Sequence, residues 1–129
     1  MHKLIIAVMF VSLTAQAAEV CEFTGRSIDD VDCSYERWKV VESDLNAKYQ
    51  ALLKELDEIV KRDPQRLSKL KTNLISAQRA WVSFREKDCR AVEVWWTNGK
   101  LQGALYADCM KEHAQQRIKE LNDFTNHQT

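Results

Sequence analysis

The chain has 129 residues, of which 45% are hydrophobic and 29% are charged, and its 19 basic side chains balance its 19 acidic ones. This length predicts one domain with a modest core. The neutral balance excludes a nucleic-acid partner or binding to an anionic membrane surface, since both depend on a surplus of Lys and Arg.

The first 17 residues predict a secretory signal peptide. They combine Lys3 near the start, an apolar run over 4–13 and an A-x-A ending at Ala17, which is the order found in such peptides. Cleavage after Ala18 is an alternative. The run is too short to span a hydrocarbon core of about 30 Å, so we expect no membrane insertion after cleavage. The chain then consists of a signal peptide at 1–17 and one domain at 18–129, which is periplasmic or secreted.

The predicted mature domain holds four cysteines, Cys21, Cys33, Cys89 and Cys109. An even number of cysteines in an exported chain predicts disulfides. Of the three possible pairings we favour Cys21 with Cys33 and Cys89 with Cys109, because each pair is close in sequence and the second flanks a loop between two helices. A zinc site is the alternative, but the chain has no C-x-x-C or H-x-x-x-H spacing. We therefore predict no metal and no cofactor.

A short irregular arm over 19–32 leads into the first helix, which Ser27 or one of the nearby acids can cap. From about Ile28 or Ser34 to Arg62, apolar residues recur at steps of three and four, which predicts one long amphipathic helix. The residues on this stripe are Tyr35, Trp38, Val41, Leu45, Tyr49, Leu52, Leu56 and Ile59.

Asp63 and Pro64 end this helix and start the next one, because proline disfavours helix in the residue before it and fits the first helical position. The second helix is predicted from Pro64 to about Val94, folded back antiparallel on the first. A third runs from 101 or 102 to Leu121. The predicted fold is all-α: a small disulfide-stapled helical bundle made of a long antiparallel helical hairpin plus a shorter third helix.

Helical spacing also predicts which side chains face the core. The residues assigned to the core on the second helix are Leu67, Leu70, Leu74, Ala77, Trp81 and Phe84, and those on the third are Leu105, Cys109, Ile118 and Leu121. An aromatic ligand box is the alternative for Trp38, Tyr49, Trp81 and Phe84, but helical spacing on apolar stripes is more typical of a core.

Polar residues beside the second stripe are the next candidates. Arg85 and Asp88 are three apart on a helix and close enough to pair, and Asp44 and Asn46 are candidate partners across the hairpin. We interpret them, together with Arg79, as a polar brace that sets the helix register; a ligand site is the alternative. We predict that His113 is an isolated surface residue. No nucleophile or acid and base pair is recognisable, so we predict no catalytic residue.

The tip after the second helix is the candidate partner-binding surface. It comprises Trp95, Trp96, Asn98, Gly99 and Lys100. Asn98 and Gly99 are turn residues that end a helix, and tryptophan is enriched at the residues that dominate binding energy in protein interfaces. The alternative is that one tryptophan folds inward.

Three stretches carry a resemblance to a known family. They are A-Q-R-A-W-V-S-F-R-E-K-D-C over 77–89, D-L-N-A-K-Y over 44–49, and R-I-K-E-L over 117–121 with Cys109 before it. On these residues the chain resembles the LprI-like family of small secreted bacterial proteins, named after a lysozyme inhibitor. The matching residues are Asp44, Leu45, Asn46, Tyr49, Ala77, Gln78, Arg79, Trp81, Phe84, Arg85, Cys89, Cys109, Arg117 and Leu121.

The resemblance implies an exported helical domain with structural disulfides and, for the namesake, binding and inhibition of a host lysozyme. We therefore expect a non-enzymatic protein-binding module whose partner is a lysozyme. An envelope accessory or immunity-type protein without lysozyme activity is the alternative. Charge steering toward a basic lysozyme favours an acidic surface, and Asp29, Asp30 and Asp32 are the candidate patch in this neutral chain. The sequence leaves the oligomeric state open.

Overall fold

The computed structural model describes Cys21, 28–95, Gly99, 101–124 and Asn126. This part of the chain is helical and contains no strand, which confirms the all-α prediction. The helices are α1 (Ile28–Arg62), α2 (Pro64–Leu67), α3 (Leu70–Trp95) and α4 (Gln102–Asp123). The predicted signal peptide and Ser27 lie outside the described residues. The acids at 29, 30 and 32 lie within α1, so none of them is its cap.

The turn after α1 is built by Asp63 and Pro64, as predicted. One carboxylate oxygen of Asp63 accepts from the backbone N–H of Arg66 at 3.2 Å and the other accepts from its Nε at 2.8 Å. The predicted single helix from Pro64 to Val94 is wrong, because the helix is interrupted between Leu67 and Leu70. Leu70, the first residue after the interruption, packs against the leucine core.

Helices α1 and α4 run parallel, and α3 runs antiparallel to both. Gly103 near the start of α4 lies against Val31 and Tyr35 near the start of α1; a Cβ atom there would be 3.1 Å from Val31 Cγ1. This close approach favours glycine. Contacts between α1 and α4 are the most extensive and those between α1 and α3 are few. The short α4 is therefore the centre of the bundle.

The core has two parts. The leucine cluster contains the buried residues Leu45, Leu52, Leu56, Leu74, Ala114 and Leu121. The disulfide cluster contains Cys89, Tyr106 and Met110, with Tyr35, Trp38 and Cys109 packed against it. Of the core residues predicted on α4, Leu121 is buried and Ile118 packs on the leucine cluster, whereas Leu105 and Cys109 are only partly buried. None of the described helices has the length and apolarity of a membrane span.

Both disulfides have the favoured pairing. Cys21 is bonded to Cys33, and Cys89 is bonded to Cys109. Arg37 also holds Cys21, because its Nε and one terminal nitrogen donate to the carbonyl oxygen of that residue at 3.1 and 2.7 Å. The first disulfide therefore fixes Cys21 to α1, and the second fixes the end of α3 to α4.

Candidate functional site: a buried polar brace and an exposed face of α3

The inner face of α3 is only partly the predicted one. Its buried residues are Leu74, Gln78, Arg85 and Cys89. Ala77 is exposed and Phe84 is 57% exposed, so the prediction that they face the core is wrong. The bond from Cys89 to Cys109 joins this side of α3 to α4, where Gln78 has its partner Arg117, and Arg85 has its partner Glu42 on α1. Leu70, Leu74 and Trp81 lie on the inner side as predicted, whereas Gln78 is buried in place of Ala77, and Arg85 and Cys89 in place of Phe84.

Arg85 and Glu42 form the centre of the contact between α1 and α3. The two terminal nitrogens of Arg85 donate to the two oxygens of Glu42 at 2.6 and 2.7 Å, and the side chains are only 5% and 27% exposed. Trp38 Nε1 donates to the same carboxylate at 3.2 Å. Two parallel bonds of this kind are among the strongest and most directional polar contacts in proteins.

Trp81 and Arg117 extend this contact to α4. The guanidinium carbon of Arg85 lies 4.6 Å from the centre of the Trp81 ring, and that of Arg117 lies 5.6 Å away. Arg117 Nε donates to Gln78 Oε1 at 2.9 Å. We call these six residues the brace: Trp38, Glu42, Gln78, Trp81, Arg85 and Arg117. The brace joins the three long helices between the two core clusters.

The electrostatics of the brace favour a fixed structural charge pair. Burial of Glu42 opposes its ionisation, but the hydrogen bonds and charge of Arg85, with the bond from Trp38, outweigh burial and lower its pKa. A carboxylate held ionised by a bidentate arginine is a poor proton acceptor at neutral pH. This arrangement fits the interpretation as a polar brace better than a catalytic site.

The composition of the brace differs from the prediction. The predicted pair between Arg85 and Asp88 is wrong, because Arg85 binds Glu42 instead. Asp44, Asn46 and Arg79 are exposed and make no brace contact among the described residues. Sequence reasoning missed Glu42, although its spacing carries a signal: it lies four residues after Trp38 and three before Leu45, and so interrupts the inner stripe of α1 with an acid, as Arg85 interrupts that of α3 with a base.

His113 is not isolated, contrary to the prediction. Its Nε2 lies 2.8 Å from Asp88 Oδ2, and its ring meets the Phe84 ring edge-on at 5.7 Å between centres. The ligand atoms of Cys89, Cys109 and His113 lie within 4.8 Å of one another, the one such group of metal-ligand side chains in the described part of the chain. The two sulfurs form a disulfide, so the group consists of a disulfide with a histidine and its carboxylate partner packed beside it.

Beyond the brace, α3 has an exposed outer stripe. Phe84, Asp88, Ala91 and Trp95 are spaced by four, three and four residues, so they lie along one side of the helix, and each of them is exposed. Trp95 is 82% exposed. Of the rest of the predicted tip, Gly99 is exposed, whereas Trp96, Asn98 and Lys100 lie outside the described residues.

The predicted acidic patch is smaller than expected. Asp30 is 2% exposed and has an interaction partner, so it belongs to the interior. Asp32 is exposed, and the side chain of Asp29 lies outside the described residues. Because Asp30 is buried, it does not contribute to an exposed acidic patch that could attract a basic protein.

Comparison with known proteins gives one match. The sequence profile of the family described as "Lysozyme inhibitor LprI" matches residues 21–121. No curated protein and no solved structure matches the chain significantly. The matched segment contains both disulfides, the whole brace and the outer stripe of α3.

Proposed function

The chain belongs to the lysozyme inhibitor LprI family, and on that premise we propose that it is a non-enzymatic protein-binding module of the periplasm whose partner is a lysozyme. The observation that carries the proposal is the family match over residues 21–121. The disulfides support an extracytoplasmic location, because such bonds persist in oxidising compartments.

The outer stripe of α3 is the proposed contact surface. Phe84 and Trp95 lie about 16 Å apart along the helix, at the rise of about 1.5 Å per residue. Helices that bind in a groove use anchors at this kind of spacing. An exposed stripe with a large aromatic ring at each end is suited to enter a cleft of the kind with which a glycosidase holds a polysaccharide chain. Blocking that cleft inhibits the enzyme without any chemistry by the inhibitor.

Rigidity of α3 also supports the proposal. The brace holds the inner face of α3 on α1 and α4, and the second disulfide fixes its far end six residues before Trp95. A helix held in this way loses little backbone conformational entropy when it binds a partner, and such preorganisation increases affinity.

The test is inhibition of a panel of lysozymes by the exported protein, measured by lysis of cell-wall suspensions, with binding measured by calorimetry. We expect inhibition of at least one enzyme. Replacing Phe84 and Trp95 with alanine should weaken binding about 30-fold or more, since a dominant interface residue contributes about 2 kcal/mol. The matched control is Val40→Ala on α1, which shortens another exposed apolar side chain, 61% exposed, and should leave affinity unchanged.

A second candidate is an envelope accessory or immunity-type protein without lysozyme activity. Net neutrality favours it, because the 19 acidic and 19 basic side chains provide no overall attraction to a basic enzyme. Absence of both inhibition and complex formation at high micromolar concentration across the panel would reject the lysozyme proposal. Capture of partners from an envelope extract would then identify the class of protein that the chain binds.

A further inference from the structure

The second disulfide has a histidine side chain beside its two sulfurs, which a purely structural disulfide does not need. The imidazole of His113 lies with the sulfurs of Cys89 and Cys109 in a group whose ligand atoms are all within 4.8 Å of one another. No histidine occurs near the first disulfide in the sequence. Two cysteines and a histidine are the side chains that zinc prefers.

The histidine ring is held from two sides. Asp88 binds its Nε2 at 2.8 Å, and Phe84 contacts it edge-on at 5.7 Å between ring centres. A carboxylate that accepts a hydrogen bond from one ring nitrogen orients a zinc-binding histidine and leaves the lone pair of the neutral ring on the other nitrogen. With Asp88 bound to Nε2, Nδ1 is the ring nitrogen left to bind a metal.

We propose that reduction of the Cys89–Cys109 disulfide creates, with His113, a three-ligand site for zinc. Two external thiols lose two electrons and join as their own disulfide, while Cys89 and Cys109 are each released as a thiol. A zinc ion then binds both sulfurs as thiolates, with loss of their two protons, and the neutral ring of His113 provides the third ligand.

The geometry requires only small movements. In a tetrahedral zinc site with bonds of about 2.0–2.3 Å, neighbouring ligand atoms are about 3.5–3.8 Å apart. The three ligand atoms already lie within 4.8 Å, so side-chain rotations of about 1–2 Å bring them to this spacing. Cys109 and His113 are partly exposed, so the metal can enter from solvent, which also provides a fourth ligand. The ion would keep α3 joined to α4 when the disulfide is absent.

The test uses the exported protein carrying Cys21→Ser and Cys33→Ser, which keeps only the second pair. Reduced with a phosphine in the absence of oxygen, it should bind one cobalt(II) ion per chain, with the near-ultraviolet absorption of a cobalt–thiolate bond, and zinc should displace the cobalt. The oxidised form should bind cobalt at least 100-fold more weakly. Circular dichroism of the reduced form should show a folded helical protein.

Three further variants distinguish this site from unspecific thiol binding. Asp88→Asn should weaken metal binding about 10-fold, within the usual effect of losing a supporting carboxylate, and His113→Gln should weaken it at least 10-fold. The chain carrying Cys89→Ser and Cys109→Ser, which keeps the first pair, should give no cobalt–thiolate absorption. A folded reduced protein without that absorption, or an affinity that His113→Gln leaves unchanged, would overturn the proposal. So would a reduced protein that unfolds and does not regain its helix content on addition of zinc.

Discussion

On α3, polar side chains are buried on one face and large aromatic side chains are exposed on the other, which is the reverse of what hydrophobicity predicts. The inner face buries an arginine and a glutamine, whereas the outer face exposes a phenylalanine and a tryptophan. On the inner face each of these two side chains has a polar partner: Arg85 binds Glu42 through its terminal nitrogens, and Gln78 binds Arg117. The comparison shows that burial on this helix follows the availability of partners, since a buried charge is tolerated when it is paired and hydrogen-bonded.

The largest expected effect on stability comes from removing the charge of Arg85 on the inner face. Replacing Arg85 with leucine leaves the carboxylate of Glu42 mostly buried without its cation. Loss of one partner of a buried pair typically costs about 3–5 kcal/mol, so we expect a loss of this size in the free energy of unfolding, measured with urea.

The matched control for Arg85→Leu is the double variant Glu42→Leu with Arg85→Leu. It removes both charges, and replacing a buried pair with apolar residues is often neutral or stabilising. We expect it to be more stable than the single variant. A single variant that costs less than about 1 kcal/mol would show that the pair behaves like a surface salt bridge and that the inner face is held by its apolar residues alone.

The next largest effect is loss of the second disulfide, which joins the inner side of α3 to α4. The cysteines are 20 residues apart in sequence, and closing a loop of this length stabilises a protein by about 3 kcal/mol. We expect Cys89→Ser with Cys109→Ser to lower the free energy of unfolding by this amount. The first disulfide, with a separation of 12 residues, should contribute about 0.5 kcal/mol less. A second pair that contributes nothing would mean that the brace alone fixes the orientation of α3.

These contacts explain why the sequence predicted the helices better than it predicted their faces. Steps of three and four residues, the Asp63–Pro64 break and the pairing of neighbouring cysteines are local signals, and each led to the observed α1, turn and disulfides. The interruption between Leu67 and Leu70 has no proline or glycine to mark it. Nothing in the local sequence therefore predicts it.

The inward-facing side of α3 could not be predicted from local patterns, because it is set by contacts between residues that are far apart in sequence. Arg85 and Glu42 are separated by 43 residues, so hydrophobicity alone placed Arg85 beside the stripe and Phe84 on it. The same applies to His113, whose partner Asp88 lies 25 residues away. Scanning both inner stripes for one acid and one base that interrupt them would have suggested the pair, because a lone buried charge is costly.

A smaller effect is expected from pH. The pKa of Glu42 is lowered in the folded protein, whereas an unfolded glutamate titrates near 4.5. The pair therefore contributes its full stability above that value, and the contribution is lost as pH falls through it toward the folded pKa. We expect the parent protein to lose stability more steeply below about pH 4.5 than Glu42→Gln, in urea titrations from pH 7 to pH 3. The lowered pKa of Asp63 is common to both proteins and cancels. Parallel pH profiles would show that Glu42 is not the group that titrates.

The smallest expected effect on stability lies on the outer face. Phe84 is 57% exposed and, apart from the edge of His113, contacts little of the described protein, so Phe84→Ala should change the free energy of unfolding by no more than about 0.5 kcal/mol. The matched aromatic on the inner side is Trp81, three residues earlier, which packs on the leucine cluster and contacts two guanidinium groups. Trp81→Ala should cost about 3 kcal/mol. A Phe84→Ala chain as unstable as Trp81→Ala would mean that the outer stripe supports the fold. A nearly neutral result would leave partner binding as the role to which this exposed ring is suited, since a large apolar side chain exposed to water contributes little to the isolated domain.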